Sequence, residues 1–258
     1  MLKRILLTTL FCMLTAGLGT GYFYHAGKYA HAHEAEETCR AIRIIVEDSR
    51  DNKLISSRDV LDMLDGGSSI IGERMQNLDI CGIENELSSH GEVRNAEVFK
   101  DMSGMLSIKM VQRRAVIRFD NGKKSFYSDS TGYLFPICNV ADVPVVTGHI
   151  PVRYKAGQKG FTSSAAEAKW IASLIRLGDY IEKHDYWHRQ IEQIDVADDG
   201  DIYLYTRDGK QDVIFGSATD IADKFSRLAT YYRGIGPLKE AESYKTVNLK
   251  YKNQIICK

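Results

Sequence analysis

The sequence lacks a net charge, a Cys-x-x-Cys pair and a long apolar run beyond its first residues. Its 34 basic residues balance its 34 acidic ones, so it has no basic surplus with which to neutralise the phosphates of a nucleic acid. Without Cys-x-x-Cys, thioredoxin-like and zinc-ribbon folds have no support. A mean hydropathy of −0.27 excludes a polytopic membrane protein. With 44% hydrophobic and 26% charged residues, the composition is that of a globular chain.

One apolar stretch stands near the start of the sequence. Ile5 to Tyr24 contains no charged residue, and twenty helical residues span about 30 Å, the thickness of the hydrocarbon core of a bilayer. Lys3 and Arg4 precede this stretch, so the positive-inside rule places residues 1–4 in the cytoplasm. The sequence therefore predicts one transmembrane helix over Ile5–Tyr24, a stalk over residues 25–40, and export of everything that follows.

A cleavable signal peptide is the alternative to this anchor. Residues 30–32 (Ala-His-Ala) fit the small-x-small pattern of a cleavage site. The apolar stretch is longer than the roughly 7–15 residues usual in a signal peptide, and the cleavage pattern lies well past its end. We therefore favour an uncleaved anchor, and both alternatives export the rest of the chain.

Four cysteines fall in the exported part, where disulfides can form: Cys39, Cys81, Cys138 and Cys257. Four cysteines allow three pairings, and the spacing selects none of them. Free thiols and a disulfide therefore both remain open.

Residues 41–111 have the pattern of a small domain with the order strand, helix, helix, strand, strand. The predicted elements are a strand over 41–46, a helix that starts at Ser56–Asp59 and ends at Gly66–Gly67, a helix over 83–90, and strands over 93–100 and 105–111. The alternation in the last two strands suits a sheet that helices cover on one face.

Residues 112–258 are predicted to form a mixed, mainly antiparallel β domain with two flanking helices. Ser164–Glu167 is a capping box before one helical pattern, and Ser217–Asp220 has a similar form before another. The strands predicted around them cover 191–197, 202–206, 213–215 and finally Val247–Ile256. The fold class is therefore α+β.

The search for a catalytic site returns one weak candidate. His184 and His188 are four residues apart, a spacing that could bind a metal from a helix. A zincin needs glutamate after its first histidine, where this sequence has the shorter Asp185, and no third ligand is identifiable. We therefore expect no catalytic, metal or cofactor site. The alternative from another functional class is a secreted periplasmic metalloenzyme with a cleaved signal peptide.

The final predicted strand offers an edge for binding. Unpaired N–H and C=O groups along a sheet edge can pair with a strand of another protein, while alternate side chains supply specificity. One face of the predicted strand carries Leu249, Tyr251, Asn253 and Ile255. These four side chains are the predicted partner-binding residues, and a final strand that the chain itself covers is the alternative.

Seven short motifs occur in order along the exported part. They are residues 83–87 (IENEL), 93–98 (VRNAEV), 104–108 (GMLSI), 112–116 (QRRAV), 126–136 (FYSDSTGYLFP), 144–148 (PVVTG) and 246–256 (TVNLKYKNQII). Their order and spacing, with the apolar stretch before them, resemble the FtsQ/DivIB family of cell division proteins, whose exported part contains a POTRA domain. Ala115 departs from the family, which often has proline there.

The resemblance implies a non-enzymatic, bitopic scaffold that recruits and connects division proteins at the septum. It implies a POTRA domain over residues 41–111 and a β domain over residues 112–258. Partners resembling FtsB and FtsL would bind near the final strands, and other division proteins could bind the POTRA domain. The protein would lie in the bacterial inner membrane, with its N-terminus cytoplasmic and both domains periplasmic, and would bind no nucleic acid.

Overall fold

The computed structural model describes residues 13, 15, 17–28, 37–47, 54–101, 103–207, 211–238 and 244–258. Helix α1 covers residues 17–28. Half of the transmembrane helix predicted over Ile5–Tyr24 lies outside the described residues. Within the described part, no helix is both long enough and apolar enough to cross a membrane.

The chain divides into two compact units. The first comprises residues 1–47, 56–89 and 95–110, and the second comprises residues 48–55, 90–94 and 111–258. A three-stranded sheet belongs to the first unit, and a nine-stranded sheet belongs to the second.

The first unit has the predicted order strand, helix, helix, strand, strand. Its elements are β1 (Ala41–Glu47), α2 (Ser57–Met63), α3 (Ile80–Ser88), β2 (Val93–Lys100) and β3 (Met105–Gln112), with two short 3-10 turns between the helices. The sheet order is β1-β3-β2. Ala96, Val98, Leu106, Ile108 and Met110 are buried at alternate positions, as a sheet with one covered face requires.

The start and end of α2 follow from local chemistry. The Ser56 hydroxyl accepts the Asp59 N–H, and the Asp59 carboxylate accepts the Ser56 N–H, which completes a capping box. After α2, Gly66 and Gly67 adopt positive φ, where residues with a Cβ are strained. A Cβ on Gly67 would also lie 2.8 Å from Ile42 Cδ1. The predicted helix start is confirmed, whereas the helix ends at Met63, three residues before Gly66, and the glycines lie in the 3-10 turn that follows it.

The second unit is built on a mixed sheet with the order β12-β11-β10-β9-β8-β7-β4-β5-β6. Its strands are β4 (Ala115–Asp120), β5 (Ser125–Asp129), β6 (Leu134–Pro136), β7 (Val145–Gly148), β8 (Ile191–Val196), β9 (Ile202–Thr206), β10 (Asp212–Gly216), β11 (Thr246–Asn248) and β12 (Ile256–Cys257). The β4–β7, β7–β8 and β10–β11 pairs are parallel and the other pairs are antiparallel. The predicted mixed, mainly antiparallel sheet is therefore confirmed.

Helices pack their apolar sides into the core of this second unit. They are α4 (Ala165–Glu182), α5 (Asp185–Gln190) and α6 (Ile221–Gly234). Aromatic rings join helices to strands, because Phe225 of α6 contacts both Trp187 of α5 and Phe215 of β10 at centroid distances of 4.8 and 5.3 Å. Rings in such tilted contacts add stabilisation beyond the area that they bury.

Three details differ from the sequence prediction. Helix α3 begins at Ile80 rather than residue 83, because Asp79 caps it by accepting the Gly82 N–H. The helix expected after Ser217 begins only at Ile221, and Asp220 precedes it in a left-handed conformation without a side-chain cap. The short helix α5 was not predicted, since six residues are too few to show a helical period.

A buried ion pair fixes the β5–β6 turn. Asp129 lies 2.9 Å from Arg113 and accepts hydrogen bonds from the Thr131 N–H and the Tyr133 N–H. The Arg113 guanidinium also lies 3.5 Å from the centre of the Tyr133 ring and donates to the Gly91 carbonyl. One carboxylate therefore satisfies the turn backbone and a guanidinium at once.

Replacing Asp129 with alanine should destabilise the second unit strongly. The change removes the carboxylate beside an Arg113 side chain that is only 15% exposed, and the loss of one partner of a buried pair costs about 3–5 kcal/mol. Asp179→Ala is the matched control, since the Asp179–Lys183 pair is exposed and should contribute at most about 1 kcal/mol. Denaturant unfolding followed by the fluorescence of Trp170 and Trp187 measures both. Equal costs for the two variants would contradict this assignment.

Candidate functional site

The segment predicted as one final strand is two short strands joined by a loop. β11 ends at Asn248, the chain turns through residues 249–255, and β12 returns antiparallel over Ile256–Cys257. Asn253 lies in the turn with φ +58°, a left-handed conformation that asparagine tolerates better than most residues. The prediction of a continuous strand over Val247–Ile256 is therefore wrong.

The four predicted partner-binding residues do not share a face. Leu249 is completely buried, and Ile255 is half-buried against the same core. Tyr251 is 49% exposed and Asn253 is exposed in the turn. The alternation in the sequence reflects a loop that inserts one residue into the core and presents another to solvent. Their role in partner binding stays a prediction.

β12 occupies one edge of the nine-stranded sheet. Lys258 and Thr246 exchange two backbone hydrogen bonds of 3.0 and 3.1 Å, so Val247 and Cys257 form the neighbouring pair without mutual hydrogen bonds. The C=O group of Ile255 and the N–H and C=O groups of Cys257 consequently point away from β11. Within the described part of the chain, no strand lies on that outer side.

The opposite edge of the sheet, strand β6, is partly covered by another segment of the chain. Gly160 forms an antiparallel bridge with Leu134 of β6, and the two residues exchange backbone hydrogen bonds of 2.9 and 3.0 Å. An irregular segment of the chain thus covers part of the β6 edge, which protects that edge from pairing with other strands.

Contacts from distant parts of the chain hold the loop between β11 and β12. The Lys250 ammonium donates to Asp201 at 2.6 Å, and this hydrogen bond raises the pKa of Lys250. The backbone of Lys250 also passes close to Gly216, where a Cβ would lie 3.1 Å from Lys250 Cγ. Arg227 of α6 donates to three carbonyl oxygens of the loop.

Sequence reasoning missed Asp201, Gly216 and Arg227 as parts of this site. Arg227 and Asp223 are spaced i, i+4 and form an ion pair, which in sequence looks like an ordinary surface pair of a helix. Asp201 and Gly216 belong to turn and strand-end patterns that fit many positions. No local signal in the sequence connects these residues to the loop.

The histidine pair considered as a metal site has other contacts. His184 precedes α5, its Nδ1 lies 2.7 Å from the Tyr180 carbonyl oxygen, and its ring stacks on Tyr180. His188 lies within α5, with its Nδ1 3.0 Å from Glu182. Among the residues that the structure describes, no cluster of three or more His, Cys, Asp or Glu side chains could hold a metal ion.

Two family models match the chain. A POTRA-like domain model matches residues 37–111, and the model described as FtsQ/DivIB, C-terminal related, matches residues 114–258, which is more than half of the chain. The chain belongs to the FtsQ/DivIB family. The resemblance read from the sequence is thereby confirmed, and FtsQ/DivIB membership supports a role in cell division. No curated protein sequence matches the chain.

Replacing Gly216 with alanine should destabilise the protein more than the same change at Gly122. Both glycines have φ near +75°, and left-handed backbone costs an ordinary residue about 1–2 kcal/mol. Only at Gly216 would the added Cβ meet another residue, because nothing lies within 4 Å of the Cβ position at Gly122. Denaturant unfolding compares the two variants. Equal destabilisation would show that Lys250 does not press on Gly216.

Proposed function

We propose that this FtsQ/DivIB-family protein is a non-enzymatic, bitopic scaffold that recruits and connects division proteins at the septum. The observation that carries the proposal is the edge strand β12, whose outer side faces no other strand of the described chain. A partner that supplies a strand there would gain main-chain hydrogen bonds without any rearrangement of the sheet. We call the outward backbone groups of Ile255 and Cys257 the docking edge.

The geometry of the docking edge supports strand addition of limited length. The Ile255 and Cys257 groups that point outward can form hydrogen bonds of about 0.5–1.5 kcal/mol each. Tyr251 lies in the adjoining loop with half of its surface exposed, and exposed tyrosines often anchor interfaces. A short added strand with one aromatic contact would bind weakly in solution. Tethering of both proteins to one membrane would strengthen this binding.

The partners that fit this proposal are division membrane proteins resembling FtsB and FtsL. If both sides are anchored in one membrane, the second contact between them becomes effectively intramolecular. Effective concentrations then reach the millimolar range, so contacts that are weak in solution suffice. Recruitment to the septum would follow from this tethering rather than from high intrinsic affinity.

The proposed anchor is the span Ile5–Tyr24, with residues 1–4 in the cytoplasm and both units in the periplasm. Leu18, Tyr22, Phe23 and Tyr24 of the described part are each at least 68% exposed. Lipid would cover these apolar and aromatic surfaces, and aromatic residues favour the membrane interface. These exposed side chains and the basic residues before the span support a single-pass inner-membrane protein.

Replacing Cys257 with proline should weaken partner capture, whereas Cys257→Ala should not. Proline removes the outward N–H but leaves the hydrogen bonds of Lys258 and Ile256 to β11. The loss of one hydrogen bond and the unpaired partner carbonyl should reduce capture about tenfold or more. The measurement is co-purification of FtsB- and FtsL-like proteins with the tagged full-length chain from membranes. Full capture by Cys257→Pro would contradict strand addition at β12.

The sheet of the first unit has edges of its own that could bind other division proteins. On β2, the Val98 N–H donates to the Glu84 carboxylate at 2.8 Å, so a side chain of α3 already occupies that edge. On β1, no strand lies on the outer side within the described residues, and Ile45 is 49% exposed. β1 is therefore the edge that we favour in the POTRA-like domain.

Photo-cross-linking in dividing cells distinguishes these two edges. A photoreactive residue at position 45 on β1 should yield adducts with other division proteins, since that edge is open. The same residue at position 97 on β2 is the matched control, because Glu97 is also exposed but lies on the occupied edge. Adducts from position 97 alone would refute the assignment to β1.

A further inference from the structure

Arg227 joins helix α6 to the loop between β11 and β12. Its Nη1 donates to the carbonyl oxygens of Tyr251 at 2.9 Å and Gln254 at 2.6 Å, and its Nη2 donates to that of Leu249 at 3.1 Å. Its Nε donates to Asp223 at 2.9 Å. One side chain therefore gathers three backbone carbonyls from both ends of a seven-residue loop.

Only arginine can make this set of contacts. Its planar guanidinium presents five N–H donors in a fixed geometry, whereas lysine has a single nitrogen. The Arg227 side chain is only 14% exposed, so water competes little with these charge-assisted hydrogen bonds. Asp223 fixes the plane of the group from its Nε side. The guanidinium is therefore directed into the loop.

The docking edge depends on this loop for its position. β12 comprises two residues, and its register rests on the pairs Val247–Cys257 and Asn248–Ile256 together with the Lys258–Thr246 bonds. With so few pairing contacts, the conformation of residues 249–255, which lead directly into β12, contributes to holding it against β11.

We propose that Arg227 is the positioning residue of the docking edge: by holding the carbonyls of Leu249, Tyr251 and Gln254, it keeps β12 paired and its outer side ready for a partner strand. This inference rests on the proposed function, because it assigns a purpose to the edge. It adds that competence for partner binding is set by a residue of α6 that the partner does not touch.

The first test compares Arg227→Lys with Arg233→Lys in the full-length chain. Arg233 lies on the same helix and donates to the Ala229 carbonyl of that helix. Alkylation of the half-buried Cys257 thiol, relative to that of exposed Cys81, reports opening of β12. We expect Arg227→Lys to raise this ratio and to lower capture of the FtsB- and FtsL-like pair, each by about tenfold or more. Arg233→Lys should change neither.

The second test restores β12 without the arginine. Val247 and Cys257 are a pair without mutual hydrogen bonds, in which side chains approach closely enough for a disulfide. Val247→Cys in the Arg227→Lys background should let that thiol bond to Cys257, as peptide mapping would verify. Capture should return in the oxidised protein and be lost again on reduction. If Arg227→Lys lowered capture through a general loss of stability, or because Arg227 contacts the partner directly, the disulfide would not restore capture.

The outcomes separate the inference from the function on which it rests. An unchanged alkylation ratio in Arg227→Lys overturns the positioning role, whatever happens to capture. A raised ratio with full capture also overturns it, because binding would then not need a paired β12. A verified disulfide that fails to restore capture has the same consequence. Capture that survives in Cys257→Pro instead removes the docking edge itself.

Discussion

A β-sheet that does not close into a barrel leaves a row of backbone N–H and C=O groups at each edge, and both units of this chain must satisfy or expose those groups. Gly160 pairs with part of β6, and Glu84 occupies an amide of β2. Among the described residues, no strand or bridge covers β12 or β1 itself, although Thr38, just before β1, forms an antiparallel bridge with Arg74. In each sheet, one edge is partly covered and the other faces no strand within the described residues, so a partner that supplies a strand could pair with it.

The exposed edge strand of the larger sheet, β12, is short, but contacts from other elements hold the loop beside it. Two residues of strand would have little order by themselves, yet the loop beside them is fixed by Leu249 in the core, by the Lys250–Asp201 ion pair and by Arg227. These contacts connect the loop to the core, to the turn before β9 and to α6, so the rest of the second unit holds the loop beside the edge in place. A site preorganised in this way loses little conformational entropy when a partner binds.

Sequence reasoning predicted those parts of the fold that local chemistry decides. The capping box of Ser56 and Asp59 and the order of strands and helices along the first unit follow from short patterns. The prediction of one continuous final strand failed because Leu249, Tyr251 and Ile255 alternate along the sequence as they would in a strand. In the structure, the chain turns at Asn253, between them. Arg227 was not predictable as part of the site, since its loop contacts join residues 22 to 27 positions apart.

The central claim is that a partner strand pairs with the outer side of β12. Amide hydrogen exchange of the full-length chain, with and without the bound FtsB- and FtsL-like pair, tests it at single residues. We expect exchange to slow at the amide of Cys257, which points outward, and to change little at that of Asn248, which is already paired. Unchanged exchange at the Cys257 amide in a saturated complex would show that no strand pairs with the outer side of β12.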